Sequence, residues 1–174
     1  MSPHPDSSLR SNRFTQSGFT LVEVLVALAL LTIALVPIFT LSTNALRLSA
    51  RISNLFISTN LAQEGIEVVR AIRDADWFQE LPFGTSLALC ATGCTVQYDS
   101  SGPLAGVSVT TPLKLDPATG LYQYTTGTAT IFQRASTVTS ISAVHLKVVS
   151  EVTWTEQGTE RTTTLEYHLF DWFP

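Results

Sequence analysis

The strongest pattern in this chain is a run of apolar residues close to the N-terminus. Leu, Val, Ala and Ile dominate residues 19–41, and Glu23 is the only ionisable side chain among these 23 residues. As a helix, the run would be about 35 Å long, whereas the hydrocarbon core of a bilayer is about 30 Å thick. The pattern therefore predicts a helix that can cross a membrane.

The helical pattern continues through residues 42–76, but it becomes amphipathic. Apolar residues recur there at spacings of three and four, with charged residues between them. Pro37 lacks a backbone N–H, so we expect the helix to kink or open locally at that position. The helix is expected to end near Asp76, because Pro82 and Gly84 follow.

Residues 77–120 are rich in proline and glycine, which predicts a loop-rich connection with short strands. Cys90 and Cys94 lie within it. A disulfide across so short a ring would contribute roughly 2 kcal/mol if Gly93 permits the turn. We favour this bond, which would place the region outside the cytoplasm, over a free thiol pair or a metal clip.

Residues 121–174 carry the clearest strand pattern. Apolar and polar residues alternate from Val144 to Thr155 and again from Leu165 to Leu169, with a turn at residues 156–159 between them. This pattern predicts an antiparallel hairpin. Two further strands are expected at residues 121–124 and 129–134. The fold class is therefore α+β, with an antiparallel sheet of about four strands against the outer half of the helix.

Composition narrows the class of protein. Only 14% of the 174 residues are charged, against about 25% in soluble domains, and 45% are hydrophobic. The net charge of −4 and the lack of a basic run argue against sequence-independent binding of nucleic acid, which depends on Lys and Arg. Two cysteines are too few for a thiolate zinc site, and we predict no metal site and no cofactor.

The chain contains no motif that is typical of catalysis. It has no H-E-x-x-H, no G-x-S-x-G and no phosphate-binding glycine loop. His145 and His168 are interpreted as surface residues that could face different sides of the sheet. We therefore expect no enzymatic activity, although motifs do not exclude an active site built from distant residues. Phe170, Trp172 and Phe173 either pack the last strand or form an exposed docking patch.

Two residues at the front of the apolar run are informative together. Gly18 follows a polar leader that contains Arg10 and Arg13, and Glu23 lies five positions later within the run. A lone carboxylate in lipid costs a few kcal/mol and marks a functional site by default. An ordinary secretory signal peptide is the alternative, but its apolar region is about 7 to 15 residues long and ends in a small-x-small site.

The stretch Gly18-Phe19-Thr20-Leu21-Val22-Glu23-Val24-Leu25 resembles the signature of type IV prepilins and type II secretion pseudopilins. The resemblance implies a pilin-like fold. It also implies that a membrane-bound prepilin peptidase cuts between Gly18 and Phe19 and N-methylates Phe19. Glu23 would then neutralise the N-terminal amine of a neighbouring subunit during assembly, although pairing within one chain, from i to i+4, is also open.

The resemblance also implies an organisation and a cellular role. Residues 1–18 would be the leader, 19–41 the transmembrane and assembly half of the helix, 42–76 its amphipathic half, 77–120 the loop-rich region and 121–174 the sheet. The protein would span the inner membrane once, with its C-terminal domain outside the cytoplasm, before entering a pilus or pseudopilus.

The expected partners are the prepilin peptidase, other pilin or pseudopilin subunits, the inner-membrane assembly platform and, before assembly, membrane lipid. The run from Val22 to Leu28 looks more like that of minor subunits of the PilV or pseudopilin I kind, which are similar to tip or initiation components. The alternative is a single-pass, membrane-anchored extracellular binding protein that keeps its leader and never polymerises.

Overall fold

The computed structural model describes residues 18–172. The chain divides into two compact units, Met1–Leu46 and Arg47–Pro174, and one helix, α1 (Leu21–Phe78), contributes residues to both. The second unit also contains a 3₁₀ helix and five strands. These elements are the 3₁₀ helix Thr85–Thr92, β1 (Pro112–Leu115), β2 (Tyr122–Gln123), β3 (Thr128–Ser142), β4 (His145–Glu156) and β5 (Thr159–Phe170).

Helix α1 ends two residues beyond the predicted position near Asp76. The Leu81 N–H donates to the Asp76 carbonyl at 2.9 Å, and the Glu80 N–H donates to the Trp77 carbonyl at 3.0 Å. Glu80 has a φ of 58°, so it occupies the left-handed position that usually ends a helix at glycine. A glutamate there gives no sequence signal, so the sequence placed the end of the helix near Asp76 but did not give its last residue. The kink at Pro37, a residue inside α1, stays a prediction.

The strands form one antiparallel sheet in the order β2-β1-β3-β4-β5. The predicted α+β, pilin-like arrangement of a long N-terminal helix and a C-terminal antiparallel sheet is confirmed. The sheet has five strands where about four were predicted, and the additional strand, β1, lies in the segment that was predicted to be loop-rich with short strands. Four residues that begin with a proline are too few to show an alternating pattern.

The predicted hairpin is confirmed as β4 and β5, which pair from His145 opposite Phe170 to Glu156 opposite Thr159. Its turn has two central residues, Gln157 with a φ of 51° and Gly158 with a φ of 76°. Two left-handed residues give the turn a twist that matches the twist of the flanking strands. The turn fixes the register of both strands over their full length.

The core of the second unit lies between α1 and one face of the sheet. Apolar α1 side chains pack there in two clusters with residues of β3, β4 and β5. The helix and these three strands contribute buried apolar side chains: Leu61, Ala62, Val69 and Ile72 from α1, Phe132 and Val138 from β3, Val148, Val152 and Trp154 from β4, and Leu169 from β5. Gly65 permits the close approach of the helix, because a Cβ there would lie 2.5 Å from the Ser150 Oγ.

A buried arginine connects the helix, the sheet and a loop within this unit. The Arg134 side chain is 1% exposed, and its Nη1 donates to the Glu64 Oε1 and to the Leu61 carbonyl, both at 3.0 Å. Its Nη2 donates to the Val96 carbonyl at 2.6 Å. The Tyr124 hydroxyl donates to the Arg134 carbonyl at 3.1 Å. Burial raises the pKa of the Tyr124 phenol, and the Arg134 charge partly opposes that increase.

The predicted disulfide between Cys90 and Cys94 is confirmed, with the two Cα atoms 4.7 Å apart. Gly93 has a φ of 98°, in the region that favours glycine, as the short ring requires. Cys94 also exchanges two backbone hydrogen bonds with Ser136, at 2.8 and 2.9 Å. The disulfide therefore links the end of the 3₁₀ helix to Cys94, which is hydrogen-bonded to β3. The alternatives of a free thiol pair and of a metal clip at these two cysteines are not supported.

Candidate processing and assembly site

The start of α1 is set by Thr20. Its Oγ1 accepts a hydrogen bond from the Glu23 N–H at 3.2 Å, and its carbonyl accepts one from the Val24 N–H at 3.2 Å. Thr20 is therefore the N-cap, and it satisfies one of the amide groups that the first helical turn leaves without a partner. Gly18 and Phe19 consequently lie outside the helix, directly before its first turn.

Thr20 was not singled out from the sequence, although a signal was present. A threonine followed three residues later by a glutamate is the spacing of a capping box, and the apolar run that comes next strengthens that pattern. The cap places the start of the helix directly after Thr20.

Gly18 is exposed, and no heavy atom of residues 18–172 lies within 4 Å of the position where a Cβ would stand. Its φ is not in the left-handed range. The fold therefore gives no reason for a glycine at this position. Phe19 is 82% exposed, so the backbone between Gly18 and Phe19 lies open to a second protein.

Glu23 lies in the first turn of α1, and its side chain is exposed. A carboxylate at this end of a helix is favoured by the unpaired amide groups and the positive end of the helix dipole. Within residues 18–172, no cation pairs with this carboxylate. Glu23 therefore remains open to a positive charge that is not present in the described part of the uncut chain.

The apolar half of α1 is long and apolar enough to cross a membrane. Its most apolar 18-residue window has a mean hydropathy of 2.8, and none of that window is buried. Threonine hydroxyls in and just past the run donate to carbonyl groups of the same helix: Thr32 to Ala29 at 2.8 Å, Thr40 to Val36 at 2.9 Å and Thr43 to Phe39 at 3.1 Å. These bonds satisfy the hydroxyl donors internally, which lowers the cost of placing them in lipid.

Comparison with known proteins identifies this N-terminal segment. Residues 13–39 match the family model described as the prokaryotic N-terminal methylation motif. The chain carries an N-terminal methylation motif of the prepilin type. The match supports membership of the type IV pilin and pseudopilin family, whose members are structural proteins. No curated protein and no solved structure matches the chain.

The matched segment of this pilin-like chain includes Gly18, Phe19, Glu23 and Pro37. The motif fits processing by a prepilin peptidase, assembly with other pilins and anchorage in a membrane through the apolar helix.

Two of the three C-terminal aromatic residues, Phe170 and Trp172, lie within the described residues and contact different aromatic rings. The ring of Phe170 is 50% exposed and stacks on His145, with ring centroids 4.4 Å apart. Trp172 is 71% exposed and makes an edge-to-face contact with Trp77, with centroids 5.1 Å apart. Phe173 lies outside the described residues. The docking patch therefore stays a prediction.

His145 and His168 do not face different sides of the sheet, contrary to the prediction. The His145 Nε2 lies 2.6 Å from the His168 Nδ1, and the His168 Nε2 lies 3.1 Å from the Glu166 Oε1. Glu166 also lies 3.7 Å from the Lys147 Nζ. His168 is opposite Lys147, two residues from His145 on the same strand, and side chains two residues apart share a face.

Proposed function

We propose that this chain is a minor pilin or pseudopilin subunit that a prepilin peptidase cuts between Gly18 and Phe19. The observation that carries the proposal is an exposed glycine, not required by the fold, directly before a capped apolar helix that matches the methylation motif. Because nothing in the structure requires this glycine, we infer that the requirement comes from the peptidase. The subunit is then a substrate of processing rather than a catalyst.

The cut would create a positive charge where the helix least favours one. The new ammonium, on an N-methylated Phe19, would lie one residue before the N-cap, close to the positive end of the helix dipole. A carboxylate is needed nearby, and Glu23 is the only one within the apolar run. We infer that Glu23 supplies this negative charge.

The position of Phe19 favours pairing between subunits. Residues four apart are neighbours only where both are helical, and α1 begins at Leu21, after Phe19 and the cap. The Glu23 side chain is exposed and has no cationic partner within residues 18–172. The Glu23 carboxylate of one subunit is therefore well placed to receive the terminal amine of the next.

The exposed apolar surface of α1 has two successive environments in this proposal. In the membrane it contacts lipid, and in the filament it packs against the same segment of neighbouring subunits. An unpaired carboxylate in lipid costs a few kcal/mol, so a Glu23 that meets its partner amine only in the assembly favours extraction and polymerisation.

The assembly step is tested by Glu23→Ala, with Glu67→Ala as the matched control. Glu67 is also an exposed glutamate on α1, but it lies outside the apolar run and makes a surface pair with Arg70 at 3.7 Å. The full chain is expressed with its peptidase and assembly machinery, and the sheared filament fraction is probed for each variant. We expect both variants to lose the leader normally and only Glu23→Ala to be depleted from the filament fraction.

Normal incorporation of Glu23→Ala would contradict the proposed role of this carboxylate. Absence of the wild-type chain from the filament fraction, with the leader retained, would favour the membrane-anchored binding protein. An initiation or tip role further predicts that loss of this chain reduces the number of filaments and leaves their lengths unchanged. Phe170, Trp172 and Phe173 are the proposed docking residues for a neighbouring subunit in that role.

A further inference from the structure

Three arginines in the second unit have no partner within the described part of the chain. Of the eight lysine and arginine residues between positions 18 and 172, four form ion pairs and Lys114 donates to the Thr125 carbonyl at 3.1 Å. Arg47, Arg51 and Arg161 make neither an ion pair nor a hydrogen bond to residues 18–172. Arg47 and Arg51 lie about one helical turn apart on α1, whereas Arg161 lies far along the chain on β5, so it is the fold that brings Arg161 to the other two.

All three arginines line one cleft, which we call the arginine cleft. It has a volume of about 270 Å³, and its other lining residues come from α1 and the β4–β5 turn: Leu48, Glu156, Gln157 and Thr159. The Glu156 Oε1 accepts a hydrogen bond from the Asn54 Nδ2 at 3.4 Å. Three arginines and one glutamate give the lining a net charge of +2, in a chain whose net charge is −4.

One donor in the cleft is already removed from solvent. The Arg161 Nε is buried and has no hydrogen-bond partner within residues 18–172. A buried donor without a partner costs free energy, and it commonly indicates that a ligand or an ordered molecule completes the site. The charge, the volume and this donor together indicate an anion.

We propose that the arginine cleft binds the phosphate group of an anionic phospholipid while the subunit is held in the membrane. Guanidinium groups present fixed N–H donors that match phosphate oxygens in pairs. Thr159 and Gln157, whose side chains carry a hydroxyl and an amide donor, also line the cleft. A headgroup with one negative charge would accept hydrogen bonds from these donors and would leave the net charge of the cleft positive.

The position of the cleft along the chain favours lipid over a soluble anion. Arg47 follows Leu41, the last residue of the apolar run, by six residues, a stretch of about 20 Å even when fully extended. Arginines next to a membrane span are attracted to anionic lipid headgroups. This step rests on the proposed storage of the subunit in the membrane.

The test uses the full chain in detergent micelles and native mass spectrometry. Phosphatidylglycerol, phosphatidylcholine and inorganic phosphate are added in separate titrations. We expect one tightly retained phosphatidylglycerol per chain, with little retention of phosphatidylcholine and no displacement by equimolar inorganic phosphate. The double variant Arg51→Gln with Arg161→Gln should bind phosphatidylglycerol at least tenfold more weakly.

The matched control is Arg70→Gln with Lys114→Gln, which removes two exposed positive charges that do not line the cleft. The control should retain lipid like the wild type. Equal retention by the Arg51 and Arg161 variant, or equal binding of phosphatidylcholine, would overturn the proposal. Displacement by inorganic phosphate would overturn the assignment to lipid in favour of a free anion.

Two other outcomes are measured separately: binding of a protein partner in the cleft, and failure of the proposed function. If the Arg51 and Arg161 variant keeps its lipid but loses crosslinks to neighbouring subunits in cells, the cleft holds a protein carboxylate instead, and the lipid proposal is wrong. Leader removal is measured in the same cells. An unprocessed wild-type chain would contradict the proposed function, whereas lipid retention by the purified chain tests the cleft separately.

Discussion

The close approach of α1 to the sheet at Gly65 makes a quantitative prediction. A Cβ at this position would lie 2.5 Å from the Ser150 Oγ and 3.1 Å from the Arg134 Cδ. Overpacking of this kind costs about 1 to 3 kcal/mol, whereas exchange of glycine for alanine within a helix gains about 1 kcal/mol. We therefore expect Gly65→Ala to lower the free energy of unfolding by up to about 2 kcal/mol.

Ser150 provides the second side of a double-mutant cycle. Its Oγ is buried and has no hydrogen-bond partner within residues 18–172, so Ser150→Ala should be neutral or stabilise the protein by about 1 kcal/mol. The same substitution removes the closest clash with an alanine at position 65. The double variant should therefore be at least as stable as the wild type, with a coupling free energy of about 1 to 2 kcal/mol between the two sites.

The cycle is measured by urea unfolding of the full chain in detergent, followed by tryptophan fluorescence. The three tryptophans, Trp77, Trp154 and Trp172, all lie in the unit that contains Gly65, so the signal reports on that unit. If Gly65→Ala alone raises the free energy of unfolding by about 1 kcal/mol, as helix propensity alone would give, the described contact between α1 and β4 is refuted.

Three further predictions concern the same unit. Replacing both Cys90 and Cys94 with serine should lower the free energy of unfolding by about 2 kcal/mol. Urea unfolding with and without a reductant checks this prediction, because a reductant should destabilise only the wild type. Tyr124→Phe should reduce the loss of stability at alkaline pH. The raised pKa of Tyr124 in the folded state stabilises the protein below about pH 10, and this stabilisation is lost as the pH rises through that pKa. The free energy of unfolding, measured from pH 9 to 11, should therefore depend less on pH in the variant than in the wild type. Glu64→Gln should destabilise the protein by about 1 to 3 kcal/mol, because the Arg134 charge stays buried without its ion-pair partner, and thermal unfolding should show a smaller loss for Glu67→Gln, whose ion pair is exposed.

The features that the sequence predicted well are local ones. The glycine, the glutamate five residues later and the apolar run are adjacent in the chain, so the resemblance could be recognised at residues 18–25, which lie within the matched residues 13–39. The hairpin was predicted because its two strands alternate and its turn is only two residues long. Once that turn was placed, the pairing of His168 with Lys147 followed from counting, so the sequence already held the signal that His145 and His168 share a face.

The features that were missed depend on contacts between distant residues or on very short elements. β1 has four residues and is recognisable only through its pairing with β2 and β3. The burial of Arg134 depends on acceptors from α1 and from a loop, none of which is near it in sequence. The arginine cleft likewise joins two positions on α1 to Arg161, at the far end of the hairpin turn. Hydrophobic periodicity carries no information about such long-range polar contacts.

The mass of the mature N-terminus is the most direct test of the central claim. The full chain is purified from cells with and without the prepilin peptidase, beside Gly18→Ala, a change that the fold tolerates because the space around that position is open. We predict a mature chain that begins at Phe19 and carries one added methyl group only when the peptidase is present, and an uncut Gly18→Ala chain with a normal fold. A wild-type chain that keeps residues 1–18 in cells with an active peptidase would contradict the account.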